Sequence, residues 1–335
     1  QTFVKLNPDN QLFNDINFNE KLGQEVDFFG IVHNTRISKW GGFVIIRKGF
    51  GLLQCVFNIG MSVAKDIEGN EILIKDLKRE ASVRIKGKVI QATIKDAAVF
   101  HKDIEIQIVE IALLSEPETT QLIDTTQLAA DSAETFVFKL DNRHISLRNV
   151  RDMAIFKIQS EVAKSFSDFC KGKGFTQIYT PKIVSAGAEG GANIFELEYF
   201  GKKAYLAQSP QFYKQICVAV FEKVFEVAPV YRAEKHNTSR HLNEYISLDV
   251  ELGFIDSHVQ LMEIETAMMK FILTSVEKNC AHELRVLNTD LPKLPDQIPS
   301  YRLSEVHEIL HKHYSDKLSQ DHRGEPDLAP EEEVL

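Results

Sequence analysis

In the stretch Tyr231–Glu251, YRAEKHNTSRHLNEYISLDVE, a β pattern is interrupted by cationic, acidic and aromatic residues in a fixed order. The flanking segments KVFEVAPVYRAE and EYISLDVELGF both read as strands, so an antiparallel hairpin with a charged loop is expected here. An ordinary hairpin loop has no need of Arg232, Glu234, Arg240, His241 and Tyr245. A nucleoside triphosphate needs such groups: guanidinium forks donate to phosphate oxygens, and an aromatic face stacks on a base. Taken singly, Arg232 and Glu234 also read as an ion pair on a strand face, and Tyr245 as core. Only the ordered set points to a nucleotide.

The 335 residues are enough for two domains, each with its own core. A net charge of −9 argues against nucleic-acid binding through a globally basic surface and leaves local basic patches open. Cys55, Cys170, Cys217 and Cys280 lie far apart, with no CxxC and no zinc-type spacing, and read as free thiols. No apolar run reaches membrane-spanning length, and QTFVKLNPDN lacks the features of a signal peptide. A cytosolic protein that does not enter a membrane is expected.

From Gln24 to Leu114 the pattern is β-rich. VDFFGIVHNTR, GFVIIRK and LLQCVFNIG read as three strands, with turn signals at Trp40-Gly41-Gly42 and Lys48-Gly49-Phe50-Gly51. GNEILIKDLKRE reads as a short helix, and ASVRIKGKVIQAT and DIEIQIVEIALLS as two further strands. That order fits an OB-fold, a small barrel that binds oligonucleotides, although other five-stranded domains share the count. Residues 115–139 are expected to be a linker, and a second domain starts near Leu140. There, VRDMAIFKIQSEVAKSFSDFCKGKG reads as a helix ending at Gly172 and Gly174, followed by a strand ending in Tyr179-Thr180-Pro181. A Gly-rich loop, strands around LEYF and AYLAQ, and the helix SPQFYKQICVAVF come next. HVQLMEIETAMMKFILTSVEKN and YRLSEVHEILHKHY read as helices, and His307, His311 and His313 on the latter as solvated.

With these motifs in order, the chain resembles the class II aspartyl-tRNA synthetases of eukaryotic and archaeal type. LDNRHISLR looks like the lead-in to their catalytic domain and GFTQIYTPKIV like the first class II motif, whose proline, here Pro181, lies at a dimer interface. AEGGANIF resembles the loop that closes over the amino acid, AYLAQSPQFYKQ the specificity segment, and VYRAEKHNTSRHLNEY the second motif. The fold implied is α+β: an N-terminal OB-fold barrel (1–114), a hinge (115–139) and an antiparallel-sheet catalytic domain (140–335). The resemblance implies a homodimeric ligase that activates L-aspartate with ATP and transfers it to tRNA(Asp).

Because the substrate carboxylate is already a nucleophile, such a reaction needs positioning and charge stabilisation, without a protein nucleophile. Arg232 is assigned to the α-phosphate, Arg240 and His241 to the outer phosphates, Tyr245 to adenine, and Glu234 to the base or the tRNA end. Leu242 belongs to the same ATP-binding segment. Lys214 is assigned to the substrate side-chain carboxylate, Gln211 and Ser209 to hydrogen bonds, and Glu189 and Asp249 to the ammonium. On the barrel, Arg36, Phe43 and Gln54 would read the anticodon, although without the family they pass for ordinary barrel residues.

The chain departs from the family pattern in several places. The third motif, with its second ATP-binding arginine, is not found, nor is the arginine expected to partner Lys214. Magnesium is expected beside ATP, with its ligands outside this segment; a truncated enzyme is the reading. Ala188 stands where a serine is expected, and Lys214–Phe221 is one residue short, which in a helix turns everything beyond by about 100 degrees. The alternatives are an asparaginyl-tRNA synthetase, a non-catalytic paralogue that binds tRNA, and an asparagine synthetase using the same adenylate, against which the barrel argues.

Overall fold

The structure, a computed structural model, describes residues 4–5, 13, 16–118, 133–187, 194–234, 242–296 and 298–335. Its first eight strands are β1 (Val4–Lys5), β2 (Glu25–Ile37), β3 (Gly41–Lys48), β4 (Gly51–Asn58), β5 (Val63–Lys65), β6 (Glu71–Ile72), β7 (Ser82–Gln91) and β8 (Ile104–Ser115). β2 pairs antiparallel with β3 and β7, β3 with β4, and β7 with β8. A parallel pairing of β4 with β8, Cys55 opposite Ile106, closes the ring. The result is the five-stranded barrel that the strand order predicts, with no free edge among its main strands.

Period-two alternation decides what fills it. Val44 and Ile46 of β3, Leu53, Cys55 and Phe57 of β4, Val83 and Ile85 of β7, and Ile106 and Ile108 of β8 point into one core. Each such aliphatic side chain contributes about 1.5–3 kcal/mol by leaving water. Ile45 and Leu52, on the outer face, are covered by Ile94 and Val99 of the β7–β8 connection. The covering does not extend to Phe43, which stays partly exposed.

GNEILIKDLKRE is not the expected helix. Asp66 caps a turn, accepting from Glu68 N and Asn70 N at 2.9 and 2.8 Å. Glu71–Ile72 then pairs with β5, and a single 3-10 turn spans Ile74–Asp76. Ile74 and Leu77 are buried against the barrel, so the apolar spacing that suggested a helix serves a cap.

The second region begins with α1 (Ala133–Asp141), α2 (Arg143–Ser146) and α3 (Val150–Gly172). Asn149 caps α3, its side chain accepting from Arg151 N at 2.9 Å, a contact worth about 1 kcal/mol. The predicted strand before Pro181 shrinks to β9 (Thr176–Gln177). β10 (Ile183–Val184), β11 (Glu196–Tyr199) and β12 (Lys202–Leu206) form one small sheet in the order β10-β12-β11. α4 (Gln211–Phe221) follows, then β13 (Lys223–Tyr231) and β14 (Glu244–Leu252). β13 and β14 pair antiparallel over their whole length, Lys223 with Leu252 through to Tyr231 with Glu244, as predicted. β9 joins β13 in parallel, making that sheet mixed.

The barrel and this region are tied by charge. Arg47 of β3 donates to both oxygens of Glu80 at 2.9 and 2.7 Å, and Arg148 reaches Glu80 at 3.0 Å. A second tie is aromatic: His282 packs edge-on to Phe100 with centroids 4.9 Å apart. His282 lies on α6 (Ala281–Leu287), which follows α5 (Val259–Asn279).

By contacts the chain divides into residues 1–255 with 271–291 and, separately, 256–270 with 292–335. The smaller unit contains α7 (Leu303–Tyr314). The expectation that its histidines are solvated fails for His307, which is buried with Nδ1 2.9 Å from Glu332 Oε1. Helical periodicity turns that histidine inward. His322 in the same unit sits between Glu325 and Glu331 at 2.9 and 2.6 Å, and its pKa is raised by those hydrogen bonds.

Candidate active site

The β13–β14 register sorts the hairpin into two faces. Phe225 packs edge-on against Phe166 of α3, so this position of β13 serves the core on one face of the hairpin. The other face carries Glu226, Ala228 and Val230 in β13 opposite Asp249, Ser247 and Tyr245 in β14. Arg232 extends this row, its backbone N–H bonded to Asn243 O at 2.9 Å. The Arg232 guanidinium lies 5.9 Å from the Tyr245 ring centroid. With its amide nitrogen turned inward, Asn243 donates to the carbonyls of Arg232 and Glu234 at 3.1 Å each, fixing the open end of the hairpin.

α4 lies against this hairpin and brings Lys214 with it. Only 5% of Lys214 is exposed; its Nζ is 2.9 Å from Asp249 Oδ1 and 3.6 Å from Glu251 Oε2. Gln211 Nε2 donates to Glu251 Oε2 at 3.4 Å. Burying a lysine is costly unless it is paired, and the two carboxylates around it, each still touching water, supply that pairing. Meanwhile Phe212, Ile216 and Val220 of the same helix face outward. α4 is thus oriented by its lysine, against ordinary apolar patterning. It ends at Glu222, φ 64°, and β13 starts at the next residue.

The structure therefore gathers Lys214, Gln211 and Asp249 into one cluster and sets Arg232 beside Tyr245 farther along the same hairpin face. Ser209 is half-buried just before α4, Glu234 half-buried past the end of β13, and Leu242 exposed at the start of the returning chain. Arg240, His241, Glu189 and Ala188 lie outside the described residues. Pro181 is exposed, and both its neighbours are bound to Glu226: Thr180 N and Oγ1 donate to it at 2.7 and 2.8 Å, and Lys182 Nζ at 3.0 Å. Glu226 and Glu251 were missed in the sequence. Alternation could have found Glu251, two residues from Asp249 on the same strand face, whereas Glu226 joins that face only through the β13–β14 register.

On the barrel, Arg36 is the register partner of Phe43, and Gln54 of Ile45, so the three predicted residues share the outer face. Gln54 donates to Glu105 at 2.8 Å and Arg36 to Asp96 at 3.4 Å. Among the described residues no group of three His, Cys, Asp or Glu side chains is placed to hold a metal. No helix among them is long and apolar enough to cross a membrane.

Residues 136–331 match the family described as tRNA synthetases class II (D, K and N). An aspartate–tRNA(Asp/Asn) ligase of Deinococcus radiodurans is 38% identical over 314 residues, which cover 93% of this chain and 66% of that protein. The cytoplasmic aspartate–tRNA ligase of Bos taurus is 34% identical over 299 residues, 85% of this chain and 58% of its own length. The chain thus spans 58–66% of the length of these two relatives. The crystal structure of asparaginyl-tRNA synthetase from Pyrococcus horikoshii complexed with asparaginyl-adenylate superposes with a TM-score of 0.76 at 26% identity, covering 94% of this chain and 68% of that one. With the paired hairpin, the buried lysine and the closed barrel in place, the chain belongs to the class II tRNA synthetases of the D, K and N group.

Proposed function

We propose that the protein is an aspartate–tRNA ligase, with residues 1–114 contacting the tRNA anticodon and residues 140–335 contributing to adenylate formation. The observation that carries this reading is Lys214, buried on α4 and facing Asp249. An aspartate substrate brings a side-chain carboxylate for the ammonium of Lys214 and an α-ammonium for Asp249. Binding would exchange the internal ion pair for two pairs with the substrate, so little buried charge is left uncompensated. An asparagine substrate offers Lys214 no side-chain carboxylate, which disfavours the asparaginyl alternative.

Arg232, on the same face, would hold the α-phosphate of ATP as the substrate carboxylate attacks in line, stabilising charge that grows in the transition state. Tyr245 would stack on adenine. Arg240, His241, Glu234 and Leu242 would complete the ATP contacts; Glu189, Ser209 and Gln211 would complete those to aspartate. Two copies are proposed to meet around Pro181, in the cytosol.

Isotope exchange between pyrophosphate and ATP, measured on the protein that carries this chain, tests the assignment. Exchange should depend on L-aspartate; exchange with L-asparagine alone would overturn the specificity. A protein that binds tRNA(Asp) but supports exchange with neither amino acid would be the non-catalytic paralogue.

A further inference from the structure

Trp40 is the single tryptophan of the chain, and it stands 51% exposed in the turn between β2 and β3. Its ring lies 5.6 Å from that of Phe43, centroid to centroid, at 82°. In the sequence it read only as part of a turn signal.

The turn that carries Trp40 is rigid. Ser38 N and Oγ both donate to Gly41 O, at 2.8 and 3.2 Å. Ile59 N donates to Trp40 O at 3.1 Å. A Cβ on Gly41 would sit 2.0 Å from Phe57 O, and one on Gly42 2.1 Å from Arg36 O, so only glycine allows the backbone to pass this close to its neighbours. The indole is therefore presented from a fixed base, and holding it in place for a ligand costs little entropy.

Its surroundings indicate which ligand. The β7–β8 connection covers the outer face at Ile45 and Leu52 and leaves the Phe43 end open. Arg36, directly across the strand pair from Phe43, and Lys39, next to Trp40, are both exposed. On a chain of net charge −9 these cations beside two aromatic faces form a local exception suited to a phosphate backbone. In OB-folds the loop joining the first two strands is a recurrent oligonucleotide contact, and bases stack readily on exposed aromatic rings.

We propose that Trp40 is a second base-stacking platform, taking an unpaired RNA base next to the one that stacks on Phe43. This inference rests on the tRNA-binding reading and adds to it a base-stacking residue in this turn. The 82° between the rings has a consequence: the two bases cannot stack on each other, so the RNA is bound with adjacent bases splayed apart, as an open loop permits and a duplex does not.

Because there is one tryptophan, intrinsic fluorescence reports on Trp40 alone. The 335-residue chain is titrated with an RNA hairpin carrying the tRNA(Asp) anticodon loop, following anisotropy of a labelled RNA and, separately, tryptophan emission. Both signals should give the same Kd, with emission quenched. Trp40→Ala should weaken binding roughly tenfold to a hundredfold. Trp40→Phe should recover most of the loss, and the thermal midpoint of both variants should match the parent. Tight binding with unquenched emission and an unaffected Trp40→Ala variant would overturn the inference and leave the tRNA reading standing. Failure of the hairpin to bind at all would overturn both. Emission that changes with protein concentration in the absence of RNA, with dimers lost in Trp40→Ala, would reassign the patch to self-association and overturn the stacking role.

Discussion

The barrel and the β13–β14 hairpin both carry polar functional candidates on one sheet face, yet they relate those residues to stability in opposite ways. In the barrel the core is sealed inside a closed ring, and Arg36, Phe43, Gln54 and Trp40 lie outside it. On the hairpin, Lys214 of α4 holds Asp249 and Glu251, while Thr180 and Lys182 hold Glu226. The barrel can lose a ligand contact and stay folded. The hairpin cannot lose a charge without disturbing its packing.

Core truncation should separate the two most strongly. Leu53→Ala removes a fully buried barrel side chain and should cost about 2–5 kcal/mol in urea unfolding. Ile246→Ala on half-exposed β14 should stay within about 0.5 kcal/mol; equal losses would mean that the hairpin has a core of the same quality.

Next in size is Lys214→Met, which leaves Asp249 and Glu251 facing each other without their cation. About 3 kcal/mol of stability should go, the low end for a broken buried pair because both carboxylates keep some contact with water. The KM for aspartate should rise far more than that for ATP. A KM change without a stability change would show the cluster to be a binding device alone.

Acid should act on the junction between the regions. Burial, followed by Arg285, Lys102 and His101, depresses the His282 pKa to about 4. A histidine whose folded pKa lies below its unfolded value near 6.5 stabilises fully above that value and progressively less as pH falls toward 4. The urea midpoint should therefore drop across that window, and His282→Phe should flatten the slope. His322 has the opposite sign: its raised pKa contributes stability below about 6.5 that is lost as pH rises through the folded value. Mild alkali should loosen the 292–335 segment first, read by protection of its amides from exchange.

The smallest effect belongs to Arg36→Ala. Its pairing with Asp96 is exposed and long, so stability should move by less than about 0.5 kcal/mol. The salt dependence of RNA binding should fall by about one phosphate contact.

These contrasts also explain what the sequence revealed. Barrel strands were legible because each has one face in and one face out, and alternation records that directly. The hairpin was legible because Arg232 and Tyr245 break the patterns of two adjacent strands, and they fall on the same face of the pair. GNEILIKDLKRE misled because a short apolar run fits a helix or a cap equally well, and the Asp66 turn decided between them. Glu226 was passed over because one acid in a strand carries no local mark; its role depends on Thr180 and Lys182 arriving from another part of the chain. Trp40 was read as punctuation because its glycines spoke louder than its ring.

Closing the barrel through β4 and β8 also sets a pace. That pair is parallel and joins Cys55 to Ile106, so no hairpin can form it, and everything between must be gathered first. The entropy of bringing such distant segments together is paid before their contacts return anything, which slows barrels to milliseconds or longer. During that wait β4 is an open, apolar edge, the point at which a newly made chain is most exposed to association with another copy of itself.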